Sequence, residues 1–120
     1  MKIILFQPQI PQNTGNIVRT CSATGASLVL VRPLGFSTAS RHLKRAGLDY
    51  WDGVEVEEID DLNHYLEIQE APFFFFSSKA TKPYTTANFP CNSILIFGSE
   101  TSGLPCAFFE KWEDRFLQSL

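Results

Sequence analysis

The sequence predicts a single α/β domain with a parallel β-sheet. Four short runs of apolar, strand-forming residues recur along the chain, which is the pattern of strands buried on both faces. These runs are Lys2–Phe6, Ser27–Val31, Phe73–Phe76 and Ile94–Phe97. Segments with helical periodicity separate them, and strands that alternate with helices form parallel sheets with right-handed crossovers. At 120 residues, the chain is long enough for one domain with its own core.

The first strand is followed by Pro8 and Pro11, which end regular structure, and then by a helix. Asn13 is the expected N-cap of this helix, which should run to about Ala23 and end at Gly25. Three apolar side chains share the helical face that we expect to pack on the sheet: Ile17, Val18 and Cys21. The helix therefore forms the first crossover of the predicted sheet.

The middle of the chain contains a turn, a short helix and a third strand. The turn is Arg32–Phe36, and Ser37 or Thr38 could cap a short helix that runs through Arg45. The segment Val54–Glu57 alternates valine with glutamate. That alternation indicates a strand near a sheet edge.

The second half begins with another helix and a fully apolar strand. Asp60–Asp61 places acid at the helix start, where it favours the helix dipole, and Ala71–Pro72 ends the helix. Its apolar face carries Leu62, Tyr65 and Leu66. Phe73–Phe76 is too apolar to be exposed on either side and is predicted to be core. Ser77–Pro90 is a long polar loop, and long loops in compact domains are usually functional or mobile.

The last apolar strand stops at Gly98, and a polar turn then leads through Gly103 to Pro105, where a helix can begin. Open α/β sheets bind ligands at such strand–turn–helix junctions, outside the carboxyl ends of the strands. The glycines match neither Gly-x-Gly-x-x-Gly nor a P-loop, so the turn gives no support for dinucleotide or triphosphate binding through those motifs. Glu100 could cap backbone amides or meet a cationic ligand.

Composition narrows the class of protein. The net charge of −3 argues against a surface coated with basic residues for non-specific nucleic-acid binding. The three cysteines are widely spaced and include no Cys-x-x-Cys, so we expect reduced thiols and neither zinc nor a disulfide framework. No apolar run reaches the length of a transmembrane helix, and Met1-Lys2 leads directly into a strand, without a signal peptide. We therefore expect a cytoplasmic protein without a membrane or metal partner.

Single motifs leave alternatives open. The turn Asn13–Asn16 is explained by helix capping alone. Arg19 lies about one and a half turns into the helix, where a cation is not favoured by the positive end of the helix dipole, so it serves a partner, a substrate or only solvent. A basic cluster could bind phosphate or could simply be a solvated helix face. That cluster comprises Arg41, Lys44 and Arg45, and Arg32, Lys79 and Lys82 could extend it.

Three motifs occur in order along the chain: Phe6–Arg19 (FQPQIPQNTGNIVR), Arg45–Tyr50 (RAGLDY) and Ile96–Pro105 (IFGSETSGLP). Together they closely resemble the TrmL/YibK branch of the SPOUT RNA methyltransferases, and the likeness covers essentially the whole chain. The resemblance implies a single α/β domain of the trefoil-knot type, a rare exception to the rule that protein chains are unknotted. It also implies a homodimer, S-adenosylmethionine as methyl donor and tRNA as partner.

The implied reaction is 2′-O-methylation of the wobble nucleotide, cytidine 34 or a modified uridine 34, in the anticodon stem-loop of leucine tRNAs. The resemblance assigns catalysis to Arg19 and cofactor binding to Phe76 and Gly98. It assigns RNA binding to Arg41, Lys44 and Arg45. Arginine normally stays protonated. We therefore favour orientation of the hydroxyl or the adjoining phosphate by Arg19 over simple base catalysis.

The chain departs from the family pattern near its end. Arg115–Gln118 resembles the start of a further strand, and the printed sequence stops at Leu120. By resemblance, we expect these 120 residues to lack the third motif and the last helix, so that the knot is incomplete and cofactor binding is weak. Two functional hypotheses follow: a TrmL-like methyltransferase, and a non-catalytic remnant that acts only in RNA binding or dimerisation.

Overall fold

A computed structural model describes residues 1–36, 53–77, 89–100 and 102–118. These residues form one six-stranded sheet in which every strand pairing is parallel. The strands are β1 (Lys2–Phe6), β2 (Ser27–Val31), β3 (Val56–Ile59), β4 (Phe73–Ser77), β5 (Ile94–Phe97) and β6 (Phe116–Gln118). Their order across the sheet is β3-β2-β1-β5-β4-β6. The α/β class with a parallel sheet is therefore confirmed.

Three α-helices lie in the described part of the chain: α1 (Pro11–Thr24), α2 (Leu62–Glu67) and α3 (Cys106–Lys111). A 3-10 turn, Glu113–Arg115, joins α3 to β6. The start of β3 at Val56 corrects the expectation that the strand begins at Val54, although its position at the sheet edge is as predicted. The helix predicted through Arg45 lies outside the described residues, and so does most of the loop after β4.

The N-terminus of α1 differs from its prediction. Asn13 is not the N-cap, because the helix already begins at Pro11 and its N-cap is Ile10. Proline suits the first helical position, since its φ is already helical and its missing N–H leaves no donor unsatisfied there. The other end is as expected: Gly25 adopts a left-handed φ of 76° and its N–H donates to the carbonyl of Cys21.

Hydrophobic side chains cover both faces of the central strand β1. Ile3 and Leu5 point to the face that α1 covers with Val18 and Cys21. Burial in this apolar contact raises the pKa of the Cys21 thiol. Ile4 and Phe6 point to the opposite face, which is covered by residues of α2 and by aromatic side chains from the region of α3. Each such fully buried side chain stabilises the fold by about 1.5–3 kcal/mol.

The phenylalanine strand β4 holds the last part of the described chain in place. Phe75 is fully buried, and its ring stacks on Phe116 with centroids 4.5 Å apart and on Trp112 with centroids 5.8 Å apart. Phe74 and Phe76, on the other face, are only half-buried. The predicted core role is therefore met most fully on the Phe75 face.

The second helix begins as its sequence predicts. Asp61 is the N-cap of α2, and its carboxylate accepts a hydrogen bond of 3.1 Å from the backbone N–H of His64. Leu62 and Leu66 are both buried against the sheet. In the segments that the structure describes, no helix is long and apolar enough to cross a membrane.

Candidate functional site

The candidate site lies at the carboxyl edge of the sheet, where the loops after β1, β2 and β5 meet. These three strands are adjacent in the order β2-β1-β5. Since all are parallel, their carboxyl ends point the same way, and the connections that follow them lie side by side. Ligands of open parallel sheets bind outside this edge.

The loop after β5 is a tight turn closed by its own backbone. Ser99 and Gly103 exchange two backbone hydrogen bonds, of 3.2 Å and 2.9 Å, across the turn. A Cβ atom on Gly98 would lie 2.6 Å from the carbonyl carbon of Gly103, so no larger residue fits without opening the turn. Gly103 itself has a φ of 67°, which glycine adopts without strain. Both glycines flagged by the sequence are therefore required by the backbone.

Phe76 and Gly98 lie next to each other at this edge. Phe76 pairs in register with Phe97, the residue before Gly98, and the two rings stack with centroids 5.0 Å apart and planes 12° from parallel. The Phe76 side chain is only half-buried. The structure thus brings together the two residues predicted to bind the cofactor, as a partly exposed aromatic surface beside a turn closed by backbone hydrogen bonds.

The loop after β1 is fixed from the side of β2. The N–H of Gln7 donates to the carbonyl of Val31, and Gln7 has a φ of 47°, which is unusual for a residue with a side chain. The N–H of Gly35 donates to the carbonyl of Pro8 at 2.9 Å. A Cβ atom on Gly35 would lie 2.7 Å from the Cα of Gln9. Glycine at position 35 therefore permits close contact between the two loops.

A hydrogen bond also joins the β1 loop to the β5 loop. The backbone N–H of Gln9 donates to a carboxylate oxygen of Glu100 over 2.8 Å. Of the two roles considered for Glu100, capping of a backbone amide is the one that the structure contains. The first and last of the three sequence motifs therefore meet through a direct contact between residues that are 91 positions apart.

Arg19 occupies a different place. It lies on the exposed face of α1, eight positions after Pro11, so it is displaced by about 12 Å along the helix axis at a rise of 1.5 Å per residue. Because α1 crosses from the end of β1 back to the start of β2, this displacement leads away from the carboxyl edge. Arg19 therefore does not share the edge with Gly98 and Phe76 within one chain.

Two of the basic side chains take part in surface ion pairs. Arg32 donates two hydrogen bonds, of 2.8 Å and 3.0 Å, to the carboxylate of Asp60, which offsets its charge for phosphate binding. Lys111 of α3 contacts Asn63 and Glu67 of α2. The hydrogen bond from Lys111 lowers the pKa of the Glu67 carboxyl. Arg41, Lys44 and Arg45, as well as Lys79 and Lys82, lie outside the described residues.

Sequence reasoning missed Gln9 and Gly35 as members of this site. Gln9 contributes its backbone N–H, which no side-chain motif reveals. Gly35 follows a proline turn, where glycine is common for conformational reasons alone. Its close neighbour is 26 positions away, so only a three-dimensional structure identifies the contact.

The sequence profile of the SpoU rRNA Methylase family matches residues 1–117. The chain belongs to this family. Among SpoU-family relatives, a tRNA (cytidine(34)-2′-O)-methyltransferase of Yersinia pestis is 40% identical over 111 residues, which are 88% of this chain and 68% of the relative. A relative from Geobacillus stearothermophilus, provisionally named for the same activity, is 46% identical to this chain. The match covers 98% of this chain and 78% of the relative.

Solved structures agree with this family assignment. A structure described as giving insights into 2-OH methylation of C/U34 on tRNA has a TM-score of 0.90 and 40% identity, over 99% of this chain and 78% of that one. An AdoMet-bound rRNA methyltransferase of Sinorhizobium meliloti has a TM-score of 0.86 at 20% identity, which shows the shared SpoU fold alone. The expected membership in the SPOUT methyltransferases is thereby confirmed.

Proposed function

We propose that this protein transfers a methyl group from S-adenosylmethionine to the 2′-hydroxyl of the tRNA wobble nucleotide, cytidine 34 or a modified uridine 34. The observation that carries the proposal is the rigid Gly98 turn beside Phe76 at the carboxyl edge of the parallel sheet. The chain as a whole is 46% and 40% identical, over 98% and 88% of its length, to two relatives named for this reaction.

Phe76 and Gly98 suit a nucleoside cofactor. Phe76 offers a half-buried aromatic surface, and the turn that starts at Gly98 offers backbone polar groups next to it. Such sites combine apolar walls with a few fixed polar groups. When bound, S-adenosylmethionine supplies an electrophilic methyl group on a sulfonium sulfur. The protein's part is then to hold the cofactor in one orientation toward the ribose oxygen.

Arg19 is the proposed catalytic residue. A ribose hydroxyl is a poor nucleophile, and a guanidinium, which stays protonated, can orient it or the adjoining phosphate through several N–H groups. Arg19 lies on an exposed helical face, away from the edge that contains Gly98. In the homodimer that we also propose, that face is accessible to a second copy, which would bring its own carboxyl edge to Arg19.

The finer features of the proposal rest on the resemblance to the family. Arg41, Lys44 and Arg45 are proposed to contact the phosphates of the anticodon stem-loop, and leucine tRNAs are the proposed substrates. A fold of the trefoil-knot type, with the knot incomplete in these 120 residues, and a cytoplasmic location belong to the same proposal. Because Arg32 forms an exposed ion pair with Asp60, we assign RNA recognition to the other basic residues.

Methyl transfer to a synthetic anticodon stem-loop tests the function. We expect labelled methyl groups from S-adenosylmethionine to appear on cytidine 34 but not on its 2′-deoxy analogue. Arg19→Ala should reduce transfer at least 100-fold, which is the lower end of the range for loss of a positioned catalytic group. Cofactor affinity measured by calorimetry should stay within about twofold, because Arg19 is displaced from Gly98.

Arg19→Lys is the matched control, since it keeps the charge but loses the planar fork of donors. Equal losses of transfer and cofactor affinity in Arg19→Ala would assign Arg19 to folding or to the dimer instead. Tight binding of the stem-loop with no transfer by the wild-type protein would favour the second hypothesis, a protein that only binds RNA.

A further inference from the structure

The three loops at the carboxyl edge meet at Gln9. On one side, the Cα of Gln9 is so close to Gly35 that a Cβ there would lie 2.7 Å away. On the other side, the Gln9 N–H donates to Glu100 at 2.8 Å. The Gln9 side-chain amide donates to the Gln7 carbonyl, which fixes the loop internally. Gln9 is therefore held between the β2 loop and the β5 loop.

The Glu100 contact contributes more to position than to stability. Gln9 is partly exposed and Glu100 is exposed, so water competes for both partners and the net contribution stays near that of a typical hydrogen bond, about 0.5–1.5 kcal/mol. Its geometry is nevertheless well defined, because a carboxylate that accepts from a backbone N–H forms a short, strong hydrogen bond. This hydrogen bond between Gln9 and Glu100 directly joins the β1 loop to the β5 turn.

We propose that Glu100 is a positioning residue that fixes α1 to the Gly98 turn of its own chain and thereby, in the proposed homodimer, sets Arg19 relative to the carboxyl edge of the second copy. This inference rests on the proposed function. Only Ile10 separates Gln9 from the first residue of α1, so a shift of Gln9 moves the start of a rigid 14-residue helix. Arg19 lies on that helix, and a misplacement of about 1 Å can slow a reaction about 100-fold.

Three variants separate position from charge. Glu100→Gln keeps an oxygen acceptor of the same reach but removes the negative charge. Glu100→Asp keeps the charge but shortens the side chain by one methylene, about 1.5 Å. Glu100→Ala removes both. Glu110→Ala, an exposed carboxylate on α3 outside the three loops, is the matched control.

Two readouts are measured on each variant: hydrogen exchange of the Gln9 amide, and kcat and KM for methyl transfer. We expect Glu100→Ala and Glu100→Asp to expose the Gln9 amide to exchange and to lower kcat at least tenfold, within the range for misplaced groups. The KM for S-adenosylmethionine should stay within about twofold, because the Ser99–Gly103 bonds do not use the Glu100 side chain. Glu100→Gln should retain both amide protection and most of kcat.

A Glu100→Gln variant as slow as Glu100→Ala would overturn the proposal, because the charge itself would then act on the substrate. Unchanged Gln9 exchange or unchanged kcat in Glu100→Ala would overturn it as well. Absence of methyl transfer by the wild-type protein would overturn the proposed function and this inference together. Transfer by wild type that Glu100→Ala leaves intact would overturn only the positioning role.

Discussion

Replacing Gly98 by alanine tests whether the turn after β5 depends on close backbone packing. The added Cβ would lie 2.6 Å from the carbonyl carbon of Gly103 and 2.8 Å from the amide nitrogen of Leu104. Both atoms belong to the backbone, so no side-chain rotation can relieve the contact. Relief of the contact requires the turn to open, which would separate Ser99 from Gly103.

The cost follows from two alternatives. If the turn resists, the overpacked Cβ costs about 1–3 kcal/mol. If it opens, two backbone hydrogen bonds of about 0.5–1.5 kcal/mol each are lost instead. Alanine also reduces the freedom of the unfolded chain, which offsets about 0.4–1 kcal/mol of either cost. We therefore expect Gly98→Ala to lower the free energy of unfolding by about 1–2 kcal/mol.

Urea unfolding measures that loss, and hydrogen exchange of the Gly103 amide reports on the turn itself. Gly53→Ala is the matched control, because its Cβ would meet only the Ser22 hydroxyl at 3.8 Å, an ordinary contact. If the turn holds S-adenosylmethionine as proposed, cofactor affinity should fall as well, by about tenfold for each 1.4 kcal/mol. A Gly98→Ala protein as stable as Gly53→Ala, with its Gly103 amide still protected, would refute the reasoning.

Two further predictions concern single side chains. The Thr14 hydroxyl is fully buried and has no hydrogen-bond partner among the residues that the structure describes. Thr14→Val should therefore raise the free energy of unfolding in urea by about 1 kcal/mol; a clear destabilisation would show that the hydroxyl has a partner in solution. Lys111 lowers the pKa of Glu67, so Lys111→Met should raise that pKa toward its ordinary value in an NMR titration. Because a lowered folded-state pKa adds stability that is lost as pH falls through it, the wild-type advantage over Lys111→Met should shrink in acid and in high salt. An identical Glu67 titration in both proteins would contradict the contact.

Local sequence patterns were enough to predict that the apolar segments form strands of a parallel sheet. A continuous run of apolar side chains is stable only where it is buried. Lys2–Phe6 and Phe73–Phe76 therefore both form strands that have another strand on each side. The Gly98 turn was predictable for a different reason, since glycine is common where two stretches of backbone approach closely in a turn. The predicted start of α1 was wrong, because Pro11 already begins the helix and Ile10 is its N-cap.

The assembly of the site could not be predicted from local pattern. The Gln9–Glu100 hydrogen bond joins residues 91 positions apart, and the Arg32–Asp60 pair joins residues 28 positions apart. Such contacts depend on which strands become neighbours, and strand order is not encoded in the periodicity of any one segment. Arg32 illustrates the difference: sequence suggested a phosphate ligand, whereas the third strand brings a carboxylate to it.

The central place of β1 has a consequence for how this protein is made. Lys2 pairs with Ser27 on one side but with Ile94 on the other, so β1 can complete its pairing only after most of the chain has left the ribosome. Long-range parallel pairing of this kind slows folding. At about 5–20 residues per second of synthesis, the first motif waits several seconds for the β5 segment. The site that unites the first and last of the three motifs therefore cannot form before the β5 segment has been made.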